Sequence, residues 1–147
     1  MSAPASARTV RILATLVMLA GFVMLVGGVA TWFTVRSQLA AERITVSADA
    51  PRFAGDEIDG PLTAYTEAET IEKHALKASG GKTYAELAND DPARQTVMTA
   101  SFLRASLFTS VVSFGVAAMA AGLGVLLVLL GYALLLVSRQ PSASSRE

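Results

Sequence analysis

Two long stretches without a charged residue or a histidine, residues 12–35 and 105–138, lie on either side of a charged middle segment. The hydrocarbon core of a bilayer is about 30 Å thick, and roughly 20 apolar residues in a helix cross it. The stretches contain 24 and 34 residues, so each is long enough. We therefore predict an all-α membrane protein, built as a two-helix transmembrane hairpin with a small, mostly helical extracytoplasmic module.

The first stretch also follows basic residues near the N-terminus, as the apolar region of a signal peptide does. A signal-peptide apolar region is only about 7 to 15 residues long and ends at a small-residue cleavage site. This stretch is longer, and Gln38-Leu39-Ala40 is a poor match to such a site. We interpret the first stretch as an uncleaved signal anchor.

The distribution of charge predicts how the chain crosses the membrane. The tails carry Arg8 and Arg11 at one end, and Arg139 and Arg146 with Glu147 at the other. The remaining 8 Lys/Arg and 11 Asp/Glu lie in residues 36–104, which are therefore net acidic. Short loops rich in Lys and Arg stay on the cytoplasmic side. We expect a bacterial cytoplasmic membrane protein with both termini cytoplasmic and residues 36–104 mainly extracytoplasmic.

These features divide the chain into a cytoplasmic tail (1–11), a first transmembrane helix (12–35), an extracytoplasmic module (36–91), a long helix (92–138) and a second cytoplasmic tail (139–147). Asp91-Pro92 is a helix N-cap followed by proline at the first helical position. We predict one continuous helix from about residue 92 to about residue 137, which enters lipid near residues 111–114. Its outer turns are expected to form a stalk against residues 38–41.

Within the module, two capping-box patterns predict short helices. Thr66 and Glu69 have the spacing of a capping box, and Gly80-Gly81 provides a stop, so residues 67–79 are predicted to be helical. Thr83 and Glu86 repeat the capping-box spacing and predict a second short helix before Asp90. Residues 49–61 contain two prolines, two glycines and an acidic cluster, which is typical of a loop.

Small residues recur along the apolar stretches at helical spacing. Residues seven apart share nearly one helix face, and small side chains there allow two backbones to approach closely. Two alternatives explain them: packing of the two spans within one chain, or a surface for a second copy or another membrane protein. The predicted packing residues are Gly21, Gly28, Gly115, Ala118, Gly122, Gly124 and Gly131.

His74 is the single histidine, and it defines a candidate extracytoplasmic site together with the acidic cluster Asp56, Glu57 and Asp59. An ordinary histidine titrates near pH 6.5, so His74 could sense acid or contribute to a cation site. One nitrogen ligand makes a weak zinc site, and the acidic cluster lacks the ligand spacing of a calcium loop. The alternative is a hydrogen-bonded structural histidine beside solvated carboxylates, and we predict no metal site.

The motifs that carry familiar chemistry do not occur. The sequence has no cysteine, no nucleophile elbow, no P-loop and no dinucleotide fingerprint, so we predict no catalytic residue, no cofactor and no enzyme activity. A proton or ion carrier usually places a carboxylate, Lys, Arg or His within the bilayer, and neither stretch has one. The hydroxyls Ser106, Thr109, Ser110 and Ser113 lie on one side of the second helix and could line a hydrated crevice. We expect them instead to bond back to carbonyls four residues earlier or to the neighbouring helix.

Several short sequence segments in the middle of the chain resemble those of a family of small uncharacterised actinobacterial two-span membrane proteins. They are Ile44-Thr-Val-Ser, Phe53-Ala-Gly, Gly60-Pro61, Ile71-x-x-His74-Ala75, Gly81-Lys-Thr-Tyr-Ala-Glu-Leu87 and Ser101-Phe-Leu-Arg-Ala-Ser-Leu-Phe108. Members of that family are often labelled as aromatic ring-opening dioxygenases. Such enzymes hold ferrous iron with two histidines and a carboxylate, and this chain has one histidine. The resemblance therefore implies a two-span architecture without that activity.

Together these observations favour a non-enzymatic integral membrane protein that serves as an accessory or interaction subunit of a membrane complex. Its expected partners are the lipid bilayer and either a second copy or another membrane protein, with no nucleic acid. The alternative is an extracytoplasmic sensor that binds a small ligand or a cation.

Overall fold

The computed structural model describes residues 7–139, and this part of the chain is helical with no strand. Helix α1 spans Ala7–Ala41, α2 spans Pro61–Ala78, a short 3₁₀ helix spans Tyr84–Glu86, and α3 spans Arg94–Arg139. The all-helical fold predicted from the sequence is confirmed. Helices α1 and α3, with 35 and 46 residues, are both long and apolar enough to cross a membrane. Most of both predicted tails, residues 1–6 and 140–147, lies outside the described residues.

Helix α3 is one uninterrupted helix that passes through all its glycines, as the sequence predicts, but it begins two residues later than expected. The Oδ1 of Asp91 accepts a hydrogen bond from the Ala93 N–H at 2.8 Å, and the Arg94 N–H donates to the Asp91 carbonyl at 3.0 Å. Asp91 therefore closes a turn over Pro92 and Ala93 before the regular helix begins.

Helix α2 begins six residues before the predicted start at residue 67. Gly60 is its N-cap and Pro61 its first residue, where the missing proline N–H leaves no hydrogen bond unmade. The Thr63 hydroxyl accepts a hydrogen bond from the Gly60 N–H at 3.3 Å and donates one to the Gly60 carbonyl at 3.0 Å. The expected capping box at Thr66 is wrong, because Thr66 is buried inside the helix.

The C-terminus of α2 lies where the two glycines predict it. Gly80 and Gly81 have φ values of +65° and +87°, a region that glycine enters without the steric cost of a Cβ. The Gly81 N–H donates to the Leu76 carbonyl at 2.7 Å, which is the long hydrogen bond of a Schellman motif. The following Thr83–Glu86 capping box is also present, since Glu86 Oε2 accepts from the Thr83 N–H at 2.7 Å.

The chain forms two compact units. The first, called the hairpin unit, comprises Met1–Ala30 and Ala117–Glu147, and the second, called the middle unit, comprises Thr31–Val116. In the hairpin unit the described residues are the N-terminal part of α1 and the C-terminal part of α3, which run antiparallel in contact. The middle unit contains the rest of both helices, α2, the 3₁₀ helix and the connecting loops.

The middle unit has its own hydrophobic core. Its main cluster joins side chains from α1, the loop, α2 and α3, and its buried members are Leu39, Val46, Ile58, Ala64, Ala68, Leu107 and Phe114. A second cluster of Ala75, Leu87 and Val97 lies farther along α2. The predicted stalk therefore packs mainly on α2, and residues 38–41 contribute only Leu39 to the core.

The loop before α2 folds back on itself through main-chain hydrogen bonds. Thr45 and Glu57 form an isolated antiparallel bridge, and the Val46 N–H donates to the Asp56 carbonyl at 2.9 Å. Glu67 of α2 is buried and accepts two hydrogen bonds from Ser47, at 2.7 Å from its N–H and 2.8 Å from its hydroxyl. This carboxylate fastens the loop to α2.

Candidate functional site

Close backbone contact in the hairpin unit depends on glycines seven residues apart. Gly21 and Gly28 of α1 are buried, as are Gly124 and Gly131 of α3. A Cβ added to Gly21 would lie 2.7 Å from the Gly124 carbonyl oxygen, and one added to Gly124 would lie 2.6 Å from the Gly21 carbonyl oxygen. Real carbon–oxygen contacts are longer, so side chains at these positions would force the helices apart. Four of the predicted packing residues thus form the contact between α1 and α3.

The other three predicted packing residues lie on an exposed face of α3. Gly115, Ala118 and Gly122 are exposed, and nothing lies within 4 Å of a Cβ placed on either glycine. Gly115 and Gly122 share one face, as the spacing of seven predicts, but that face does not contact α1. Packing within the chain therefore explains Gly124 and Gly131, whereas among residues 7–139 this second row stays exposed.

His74 lies on the exposed side of α2 and contacts Asp49 of the preceding loop, with Nε2 to Oδ2 at 2.7 Å. The hydrogen bond from the imidazole holds the pKa of the Asp49 carboxyl below its usual range. Asp49 lies outside the acidic cluster that the sequence associates with His74. The observed pair agrees with the structural alternative for this histidine, because it ties the loop to the helix.

The predicted acidic cluster does not gather around His74. Asp59 instead pairs with Arg36 of α1, whose Nε donates to Oδ2 at 3.1 Å, while Asp56 and Glu57 are exposed and engage the loop through their main chain. Among residues 7–139 no group of three or more histidine, cysteine and carboxylate side chains is placed to hold a metal ion. The structure thus separates the members of this candidate site.

Two ion pairs lie at the charged limits of the apolar stretches, and sequence reasoning did not identify them. Arg36 is the first charged residue after residues 12–35, and Arg104 is the last before residues 105–138. Arg36 pairs with Asp59, and Arg104 pairs with Glu72 of α2 at 2.7 Å. The position of the two arginines at the ends of the stretches is the sequence signal that marks them.

An aromatic contact accompanies the second ion pair. The rings of Tyr65 and Phe108 meet edge to face with centroids 5.7 Å apart, and the Arg104 guanidinium lies 5.2 Å from the Phe108 ring. A hydrogen bond from the Tyr65 hydroxyl to Glu69 stabilises the protonated phenol and raises the pKa of Tyr65. These contacts fix the first half of α2 on α3.

A groove of about 540 Å³ lies between the second half of α2 and the first turns of α3, within the middle unit. Its volume is in the range of small-molecule sites. The lining is mostly apolar and also includes His74, one amide and two hydroxyl side chains. The lining residues are Ile71, His74, Ala75, Ala78, Gln95, Thr96, Thr99, Ala100 and Leu103.

The hydroxyls of α3 bond to their own helix as predicted. Thr109 donates to the Ala105 carbonyl at 2.8 Å, Ser110 to the Ser106 carbonyl at 3.3 Å, and Ser113 to the Thr109 carbonyl at 2.8 Å. The three hydroxyl donors are therefore satisfied within α3.

Comparison of the chain with protein families, curated proteins and solved structures finds no significant match. The resemblance to two-span actinobacterial proteins stays a prediction.

Proposed function

We propose that this protein is a non-enzymatic integral membrane protein that acts as an accessory or interaction subunit of a membrane complex. In this proposal α1 and α3 cross the bacterial cytoplasmic membrane, and residues 36–104 lie mainly on the extracytoplasmic side. The observation that carries the proposal is the second small-residue row on α3, Gly115, Ala118 and Gly122, which is exposed while the first row is used within the chain.

Helices in lipid associate through different forces from those that act in water. Lipid tails are as apolar as leucine side chains, so association there depends on close packing and small interfacial residues. One face of α3 meets this requirement through Gly124 and Gly131 against α1. The exposed row provides the same kind of surface a second time, and an α helix of another chain is the partner that it fits.

A pair of substitutions two residues apart tests the proposal. Gly122→Ile places a branched side chain on the exposed row, and Gly124→Ile places the same side chain in the intramolecular contact. We expect Gly122→Ile to leave the thermal stability of the purified chain within about 2–3 °C of wild type, because its site is open. We expect Gly124→Ile to lower that stability, because overpacking costs about 1–3 kcal/mol.

The readout of association is cross-linking in native membranes between two differently tagged copies, together with pull-down of other membrane proteins in a gentle detergent. Gly122→Ile should reduce the cross-linked complex at least fivefold while the monomer stays folded. An unchanged complex in both assays would mean that the exposed row faces only lipid, and the proposed role would be wrong.

The groove beside His74 favours a second candidate function, the binding of a small apolar molecule on the extracytoplasmic side. Its lining includes the alanines Ala75, Ala78 and Ala100, whose short side chains leave space between the helices. The polar groups of the lining, His74 among them, would orient one end of an amphipathic ligand. The separation of His74 from the acidic cluster argues against a cation as that ligand.

Mass spectrometry of the organic extract from purified protein tests this candidate. A bound molecule should be present in wild type, lost in Ala100→Trp, which fills the groove, and retained in Lys77→Trp, which changes an exposed position of α2. The same extract from all three proteins would contradict ligand binding in the groove.

A further inference from the structure

The first turn of α2 lies level with apolar, exposed residues of α1 and α3 rather than with the charged part of the middle unit. The ring of Tyr65 contacts Phe108, Glu72 pairs with Arg104, and Ala75 packs with Val97. In these three contacts the residue numbers of α3 fall as those of α2 rise, so the two helices run antiparallel. Moving toward the N-terminus of α2 therefore means moving along α3 into residues 105–138.

This direction fixes the level of Leu62. It precedes Tyr65 by three residues, which is about 4.5 Å along the helix axis. Leu62 is therefore level with residues 111–112 of α3. On the α1 side, Trp32 contacts Phe114 with ring centroids 4.7 Å apart, so this level corresponds to residues 32–35, inside the first uncharged stretch.

The charges agree with this placement. Asp59, two residues before α2 begins, binds Arg36, the first charged residue beyond residues 12–35. From Gly60 to Thr66 the chain has no charged residue, and the next carboxylate, Glu67, is buried against Ser47. The chain thus returns to Arg36, at the end of the first uncharged stretch, and starts α2 with an uncharged turn.

Large apolar side chains are exposed at this level on all three helices. Leu62 is 67% exposed, Phe33 of α1 is 61% exposed and Val112 of α3 is 64% exposed. Exposing such side chains to water costs about 1.5–3 kcal/mol each compared with burying them. A bilayer in contact with α1 and α3 at this level removes that cost for Leu62 as well.

We propose that the first turn of α2 is an additional membrane-contact element, with Leu62 inserted into the apolar boundary of the outer leaflet. The ring of Tyr65 contacts Phe108, and its hydroxyl bonds to Glu69. Aromatic side chains at a membrane interface combine an apolar contact and a polar contact in this way. Helix α2 then rises from the membrane surface, and the groove beside His74 lies farther out. This inference rests on the proposed transmembrane placement of α1 and α3.

Nitroxide accessibility in the full chain tests the inference, since the protein has no native cysteine to interfere. Single variants Leu62→Cys, Val112→Cys and Lys77→Cys are spin-labelled and reconstituted in vesicles of phosphatidylethanolamine and phosphatidylglycerol. Collisions with oxygen, which concentrates in lipid, are compared with collisions with a water-soluble nickel complex. We expect the oxygen-to-nickel ratio at Leu62 to match that at Val112 and to exceed that at Lys77 at least threefold.

The controls at Val112 and Lys77 distinguish failure of the α2 membrane contact from failure of the transmembrane placement of α3. A ratio at Leu62 equal to that at Lys77, with Val112 still lipid-accessible, would overturn the α2 contact alone. Shielding of Leu62 from both reagents would overturn it in favour of a protein contact. A water-accessible Val112 would overturn the transmembrane placement of α3 and the inference together.

Discussion

The pair formed by His74 and Asp49 leads to a prediction about acid. Because the histidine hydrogen bond lowers the pKa of Asp49, folding favours the ionised carboxylate. Its contribution to stability is therefore complete above the ordinary aspartate pKa, about 3.9, and is lost as the pH falls through the lowered folded value. In His74→Ala the pKa of Asp49 should rise toward its ordinary range.

Carboxyl-detected NMR titration of the reconstituted chain measures this change. Glu86 is the internal control, because Thr83 donates the hydrogen bonds that lower its pKa and those bonds do not involve His74. An Asp49 titration that is identical in wild type and in His74→Ala would show that the pair does not form.

Two adjacent glycines of α1 test the close contact in the hairpin unit. A Cβ on Gly28 would lie 2.6 Å from the Ala117 carbonyl oxygen, whereas one on Gly27 meets nothing within 4 Å. The intrinsic helix preference changes equally in Gly28→Ala and Gly27→Ala, so the difference between the variants reports the clash. We expect Gly28→Ala to be about 1–3 kcal/mol less stable than Gly27→Ala.

Steric trapping or reversible denaturation in mixed micelles measures this difference. Equal stability of the two alanine variants would contradict the observed register of α1 against α3.

The seven-residue periodicity predicted glycine rows but could not select the row that contacts α1. Gly115 with Gly122 and Gly124 with Gly131 both have a spacing of seven. The choice depends on the rotation of α3 about its axis, and a spacing of seven within α3 does not determine that rotation. For His74 the partner depends on the path of a loop in which Arg43 and Phe53 adopt positive φ angles, and neither residue type signals that conformation.

Helix α3 should be ordered for several residues before the apolar stretch 105–138 begins. Residues 96–103 belong to the same helix as residues 105–138, and Val97 is buried against Ala75 and Leu87 of the middle unit. We expect the amides of residues 96–103 to exchange hydrogen as slowly as those in the middle of α2, because both share one buried cluster. Hydrogen–deuterium exchange in nanodiscs measures the rates.

The loop at residues 88–91 supplies the fast-exchanging reference in the same experiment. Exchange of residues 96–103 at the rate of that loop would mean that the ordered part of α3 begins near residue 105 instead of at Arg94.

The beginning of α2 shows how competing local signals limit prediction of an element. Gly60-Pro61 and Thr66 with Glu69 both resemble helix starts. The first is used because residues 61–66 bury Ala64 and Thr66 in the core, and because the neighbouring Glu67 is bound by Ser47. Both are tertiary contacts, which no local pattern contains. By contrast, Gly80-Gly81 has no competing stop nearby and predicts the end of α2 to within one residue.

At the scale of the whole molecule, the two uncharged stretches were sufficient to predict both long helices, since their length and composition satisfy one simple physical condition. The packing of the middle unit on α2 was not predictable in the same way. It depends on pairs distant in sequence, such as Arg36 with Asp59 and Arg104 with Glu72.

In the proposed topology α1 and α3 cross the membrane, residues 36–104 lie mainly outside and both termini lie inside. This topology is tested most directly by single-cysteine labelling in intact cells with a membrane-impermeant maleimide, using Ala78→Cys and Ser144→Cys in the cysteine-free chain. Ala78 is exposed on α2, and Ser144 belongs to the C-terminal tail, outside the described residues. We predict that Ala78→Cys reacts in intact cells and that Ser144→Cys reacts only after the cells are permeabilised. Reaction at Ser144→Cys with protection at Ala78→Cys would contradict the orientation, and reaction of both in intact cells would contradict a two-span protein with cytoplasmic termini.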